Sequence, residues 1–193
     1  MKNVVFVFTA LIAGLLVSSF DSKPTILKVD TSKSTAKWLG KKVTGQHGGT
    51  VSLKSGTLSF DNGVPVSGEF VIDMNSITCT DLQGEYADKL IGHLKSDDFF
   101  GVSNHSTAKF VLKNAAATIN PKKFVVTGDL TIKGITQSVS FDAMIDMASA
   151  SAKIIVDRTK YNIKYGSASF FDSIGDKAIN NDFEFEVNLA LMK

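Results

Sequence analysis

An all-β domain is the fold class this sequence predicts, and three observations carry the prediction. Apolar residues recur at every second position along most of the chain beyond Ile26, which is the period of half-buried strands. Helical spacing occurs in one stretch, about Asp81 to Leu94. Three Pro and fifteen Gly in 193 residues supply the turns of an antiparallel meander. With no repeat, linker or low-complexity run to divide it, the stretch 24–193 reads as one domain.

The first segment stands apart. Met1-Lys2-Asn3 precedes an uncharged run from Val4 to Val17, followed by Ser18-Ser19 and a polar stretch, Asp21 to Pro24. A Lys, an apolar run and small residues at its exit are the parts of a secretory signal, and the run falls short of the ~20 residues of a membrane span. Residues 1–19 are expected to be a signal peptide, and the remainder a periplasmic or secreted domain. Cys79 is the single thiol, so neither an intramolecular disulfide nor a Cys-based metal cluster can form. It is expected to be a small buried apolar residue.

The elements follow in order. Short strands are expected at Ile26–Asp30, Ser34–Leu39, Gly49–Leu53 and Gly56–Asp61. Val66, Gly68, Phe70, Ile72 and Met74 then share one face of a longer strand, with Ser67, Glu69, Val71 and Asp73 on the other. In the helical stretch, Leu82, Tyr86, Leu90 and Leu94 form an apolar stripe, and a second short turn, capped by Ser96, follows at Ser96–Phe100. Another strand is expected at Thr107–Lys113. Phe124, Val126, Gly128, Leu130 and Ile132 face one way, Lys133-Gly134 turns the chain, and Val139, Phe141, Ala143, Ile145 and Met147 return on a hairpin partner. A strand at Ala150–Tyr161 precedes the most regular one, where Phe183, Phe185, Val187, Leu189 and Leu191 alternate with polar residues. The total is roughly eight or nine strands with one-sided apolar faces, which pack as a two-sheet sandwich or close into a barrel.

Composition and motifs narrow the function classes. Twenty-one basic and nineteen acidic side chains leave a net charge of +2. Arg158 is the lone Arg, so the forked donors favoured for phosphate and base readout are nearly absent and nucleic acid is not an expected partner. His47, His93 and His105 are isolated in sequence. There is no nucleophile elbow, no paired-His zinc spacing, and no Gly-rich loop opening a helix, so neither an enzyme nor a metal or cofactor site is expected.

Two segments carry a family resemblance. Gly128-Asp129-Leu130-Thr131-Ile132-Lys133-Gly134-Ile135-Thr136, followed by Val139 and Phe141, resembles a hairpin of the YceI-like proteins. His93-Leu94-Lys95-Ser96-Asp97-Asp98-Phe99-Phe100, followed by the strand Ala108-Lys109-Phe110, is similar to a second motif of that family. The strand Val66–Met74 and the segment Asp157–Gly166 also fit, and the resemblance runs from Lys28 to Leu191. It implies an extended, antiparallel, eight-stranded lipocalin-like barrel with one short helical insertion at about 81–100. It further implies a tunnel that holds a polyisoprenoid or similar long lipid.

On that reading the wall residues are Trp38, Phe70, Phe110, Phe141, Ile154, Phe183 and Phe185. Two polar residues are candidates for a headgroup at the tunnel mouth: His93 near the helix end, and Arg158, expected within a strand beside a carboxylate. Phe170-Phe171 is an expected apolar lip. The expected partner is a long-chain isoprenoid or fatty lipid, with a homodimer and transient membrane contact as further possibilities. The competing reading is an interaction module that binds protein or glycan through its loops over a filled core.

Overall fold

In the computed structural model, residues 23–171 and 175–193 are described; the expected signal peptide lies outside them. Nine strands form one antiparallel sheet that closes on itself. They are β1 (Thr25–Val29), β2 (Thr35–Lys42), β3 (Gly45–Asp61), β4 (Val64–Asp73), β5 (Thr107–Ala117), β6 (Lys123–Ile132), β7 (Ile135–Ile145), β8 (Ser149–Asp157) and β9 (Ile179–Met192). Among the described residues one α-helix, α1 (Gly84–Lys95), is inserted between β4 and β5.

The barrel has eight staves, because β1 and β2 share one. Both lie between β3 and β9, with β2 covering the registers Ala36↔Val51 and Thr35↔Asn188, and β1 covering Leu27↔Leu58 and Lys28↔Met192. The break between them is held by Asp30, whose carboxylate accepts the Ser32 N–H, and by Ser34, whose hydroxyl accepts the Ala190 N–H. Asp73, Asp146 and Asp157 do the same at other strand ends, each accepting an N–H two residues on. This local bond offers the backbone an alternative to the ladder and ends the strand.

Several expectations need correction. Gly49–Leu53 and Gly56–Asp61 are one strand, β3. Its ladder shifts between Leu53 and Ser55, so the buried positions change parity from Gly49, Val51 and Leu53 to Gly56, Leu58 and Phe60, and a bulge reads in sequence as two short strands. Val66 is 43% exposed: it is the extra residue where Ser59↔Ser67 gives way to Phe60↔Pro65, so Pro65 turns inward in its place. Met147 lies beyond the end of β7 and is exposed. The strand expected to reach Tyr161 stops at Asp157, and Arg158–Tyr161 is a 3-10 turn.

The helix begins at Gly84 rather than Asp81 because the Asp81 carboxylate is engaged elsewhere, by Gly48, His47 and Cys79. Tyr86 faces solvent, while Leu94 is buried where the helix end meets the barrel. The short turn expected at Ser96–Phe100 is present, with the Phe99 N–H donating to the Ser96 carbonyl, and Ser96 also closes α1: its N–H and hydroxyl both donate to the His93 carbonyl.

The β6–β7 hairpin follows its expected register. Ile132 pairs with Ile135 across Lys133 and Gly134, both at positive φ, as a two-residue turn that matches strand twist requires. The chain turns at 61–64, 118–122 and 146–148 lie at one end of the barrel. Leu27, Phe60 and Phe124 are packed there to 3% exposure or less. The other end is covered by α1, the turn after it and the segment following β8.

Candidate ligand-binding site

Inside the barrel lies one cavity of about 190 Å³. An apolar void of about 150 Å³ in another protein stays dry and admits a hydrocarbon ring. Every stave contributes to the lining, and although Ser151, Arg158, Asn180 and Asp182 are among the lining residues, the surface facing the cavity is almost wholly apolar. Along β9 the lining extends from Ile179 to Leu189. That is about 33 Å of strand, or roughly 25 Å of barrel axis at ordinary tilt. So small a volume drawn out over that length describes a narrow tunnel.

Trp38, Phe70, Phe110, Phe141, Ile154, Phe183 and Phe185 all line this tunnel. The Phe70 and Phe110 rings are 6.3 Å apart and those of Phe110 and Phe141 5.4 Å. The Phe110–Phe141 contact crosses β6, and a glycine permits it: a Cβ on Gly128 would lie 2.4 Å from Phe110 Cζ. Gly49 plays the matching part for Trp38, whose indole N–H donates to the Thr78 carbonyl at 3.0 Å, since a Cβ there would meet that oxygen at 1.9 Å. Phe183 stacks edge-on with Phe185 at 4.8 Å and meets Phe100 at 6.2 Å, which ties the wall to the turn that closes the helix end.

His93 stands outside the lining. Its ring packs edge-on against Tyr165 and Phe99, at 4.4 and 5.1 Å, so it buttresses the closed end from behind. Arg158 is 2% exposed and differs from its expected role. It begins the 3-10 turn, and its guanidinium meets neither a carboxylate nor open space. Instead Nε donates to the Asn180 carbonyl, Nη1 to those of Ile163 and Tyr165, and Nη2 to that of Ile179, at 2.8–3.0 Å. The Phe99 ring lies 5.7 Å from its central carbon. Burial lowers its pKa, partly opposed by Asp157. Phe170 and Phe171 are each 49% exposed, and the Lys164 ammonium sits 4.8 Å from the Phe170 ring.

A polar group missed by sequence reasoning lies at the start of β3. Asp81 accepts from the Cys79 thiol at 3.1 Å and the Gly48 N–H at 3.1 Å, and pairs with His47 Nδ1 at 2.8 Å. Burial would raise the Asp81 pKa, but these partners hold it down at about 2. Cys79 is thus half-buried and hydrogen-bonded rather than part of an apolar core. Asp81 stands between the thiol and the imidazole, so the set braces the segment after β4 against β3. Among the described residues no group of three or more His, Cys, Asp or Glu is placed to hold a metal ion.

The YceI-like domain family model matches residues 27–191. The chain belongs to that family. It is 31% identical over 126 residues to a UPF0312 protein of Pseudomonas fluorescens, covering 60% of this chain and 63% of the relative. A UPF0312 protein of Staphylococcus aureus is 32% identical over 107 residues, 50% of this chain and 57% of that one. These matches therefore span about six-tenths of the relatives' own length. The crystal structure of Burkholderia cenocepacia BcnA superposes with a TM-score of 0.65 at 21% identity, covering 86% of this chain and 99% of that one. A polyisoprenoid binding domain from Saccharophagus degradans, implicated in plant cell wall breakdown, superposes with a TM-score of 0.59 at 13% identity, covering 88% and 98%. At those identities the likeness is one of fold.

Proposed function

We propose that this YceI-like protein is an exported carrier that holds one long, slender apolar chain, an isoprenoid or fatty lipid, along the axis of its barrel. The narrow tunnel with walls from all eight staves carries the reading. Each methylene transferred from water into such a wall gains about 0.8 kcal/mol, so a long chain outweighs any single headgroup contact. The fold shared with a polyisoprenoid binding domain supports the ligand class. Arg158, committed to four carbonyls, is not a headgroup donor on this reading, and export rests on the N-terminal segment.

The alternative, a loop-binding module with a filled core, is disfavoured by the cavity. Solvent extraction of the purified protein followed by mass spectrometry separates the two. A co-purifying long-chain lipid in near-stoichiometric amount is the expected result. Lipid-free preparations that also take up no fluorescent fatty or prenyl probe would refute the carrier reading.

A further inference from the structure

Buried Leu27, Phe60 and Phe124 fill one end of the barrel, and Leu94, Phe99, Phe100 and Arg158 pack at the other, where the lining also reaches the exposed Asn180 and Asp182. The side wall is not uniform. Strand β8 pairs with β9 along its whole length, from Ser149↔Ala190 to Asp157↔Asp182, and β7 pairs with β6 from Ile145's neighbour Met144 back to Ile135. Between β7 and β8, however, the ladder holds only Ile145↔Ala150, Met144↔Ser151 and Ala143↔Ala152. Beyond Ala143 the two strands run unpaired until the Gln137 amide donates to the Lys160 carbonyl at 3.2 Å. The unpaired stretch from Ala143 back to Gln137 is about 20 Å long.

The tunnel meets this seam directly. Val139, Phe141 and Ile154, which flank it on the inner side, are lining residues left half-buried. At its foot, Ala143, Ser151, Ala152 and Val187 line both the tunnel and a shallow depression on the outer surface, so the wall there is one small side chain thick. Ile155, on the free edge of β8, is 61% exposed.

We infer that the β7–β8 seam is the port through which the apolar chain passes, latched at its open end by the Gln137–Lys160 bond. This rests on the carrier reading. An extended chain fits a slit of that length sideways, without unpacking the side chains at either end, and parting the stretch beyond Ala143↔Ala152 breaks no ladder bond, only the Gln137–Lys160 latch.

The test uses the full chain with Cys79→Ser, carrying Ser140→Cys and Ile155→Cys on facing, outward positions of the two strands. A short bis-maleimide staples the pair, and single-cysteine proteins capped with a monofunctional maleimide are the controls. Stopped-flow fluorescence follows uptake and release of cis-parinaric acid. Stapling is expected to slow both rates by about tenfold or more while leaving the equilibrium affinity unchanged, as for a gated site. Stapled protein that exchanges the probe at the control rate overturns the port. Unstapled protein that takes up no probe overturns the carrier reading, and the port with it. Gln137→Ala provides a second measure if the double-cysteine protein fails to fold: faster exchange supports the latch and an unchanged rate overturns it.

Discussion

Replacing Arg158 by Met tests whether this side chain is a structural staple or a ligand contact. The four carbonyls it serves come from two segments, Ile163 and Tyr165 after the 3-10 turn and Ile179 and Asn180 at the start of β9. The bond to Ile163 lies in fully buried surroundings and the other three are partly buried. Leaving a buried acceptor unpaired costs about 1–3 kcal/mol, and a partly wetted one about 0.5–1.5 kcal/mol. Summed over the four this is about 2.5–7.5 kcal/mol, and reduced by the guanidinium desolvation that Met avoids, Arg158→Met should destabilise the protein by about 2–4 kcal/mol. For a chain of this size that is a fall in Tm of roughly 4–16 °C.

Urea and thermal unfolding followed by circular dichroism measure it. Arg158→Lys keeps the charge but not the planar fork, and should recover less than half of the loss. A Met variant within about 1 kcal/mol of the parent, inside the range of an ordinary surface substitution, would refute the staple. A Lys variant of unchanged stability that loses affinity for a carboxylate-headed probe but not a neutral one would return Arg158 to headgroup duty.

Four further outcomes are expected. Gly128→Val should clash with both the Phe110 ring and the Val111 carbonyl, each 2.4 Å from the added Cβ, so it should weaken binding of a fatty or prenyl probe by about tenfold or more and destabilise the barrel by about 3 kcal/mol or more; titration of the probe and urea unfolding check it. Phe141→Asp should abolish probe binding while the far-ultraviolet spectrum stays of β type, and undiminished binding would remove Phe141 from the working wall. Trp38, the single Trp, lines the tunnel, so its emission should be quenched by energy transfer as cis-parinaric acid binds. Glu184, bonded to Lys153 and Lys41, has its pKa lowered from 4.5 to about 2. Its contribution to stability is complete above pH 4.5 and lost as the pH falls through about 2, because the unfolded chain takes up the proton first. Glu184→Gln should flatten that part of the acid-unfolding profile.

Much of the barrel was legible because a wall wet on one side imposes strict alternation. β6, β7 and β9 satisfy it residue by residue, and the seven apolar wall positions follow from it. What alternation does not encode is a change of parity, so the bulges at Leu53–Ser55 and around Val66 leave no mark in it. The end of β8 did have a signal: Asp157-Arg158-Thr159 has an Asp two residues before a free N–H, as do Asp30, Asp73 and Asp146 at other strand ends. A lone Arg suggests a charged partner, a carboxylate or an anion. Backbone carbonyls leave no trace in a sequence, and neither does the missing ladder between β7 and β8. Nor did the His47–Asp81–Cys79 set, whose members are joined only when β3 folds beside the segment after β4.

The strand that closes the ring is the last one. β9 pairs with β8 on one side and with β1 and β2 on the other, joining Thr35 to Asn188 and Val29 to Leu191. Contacts so distant in sequence form late, after the entropy of a nearly chain-length loop has been spent. A chain that folds from its N-terminal strands therefore holds seven staves and an open edge until β9 arrives, and the tunnel first exists when β9 docks on both of its neighbours.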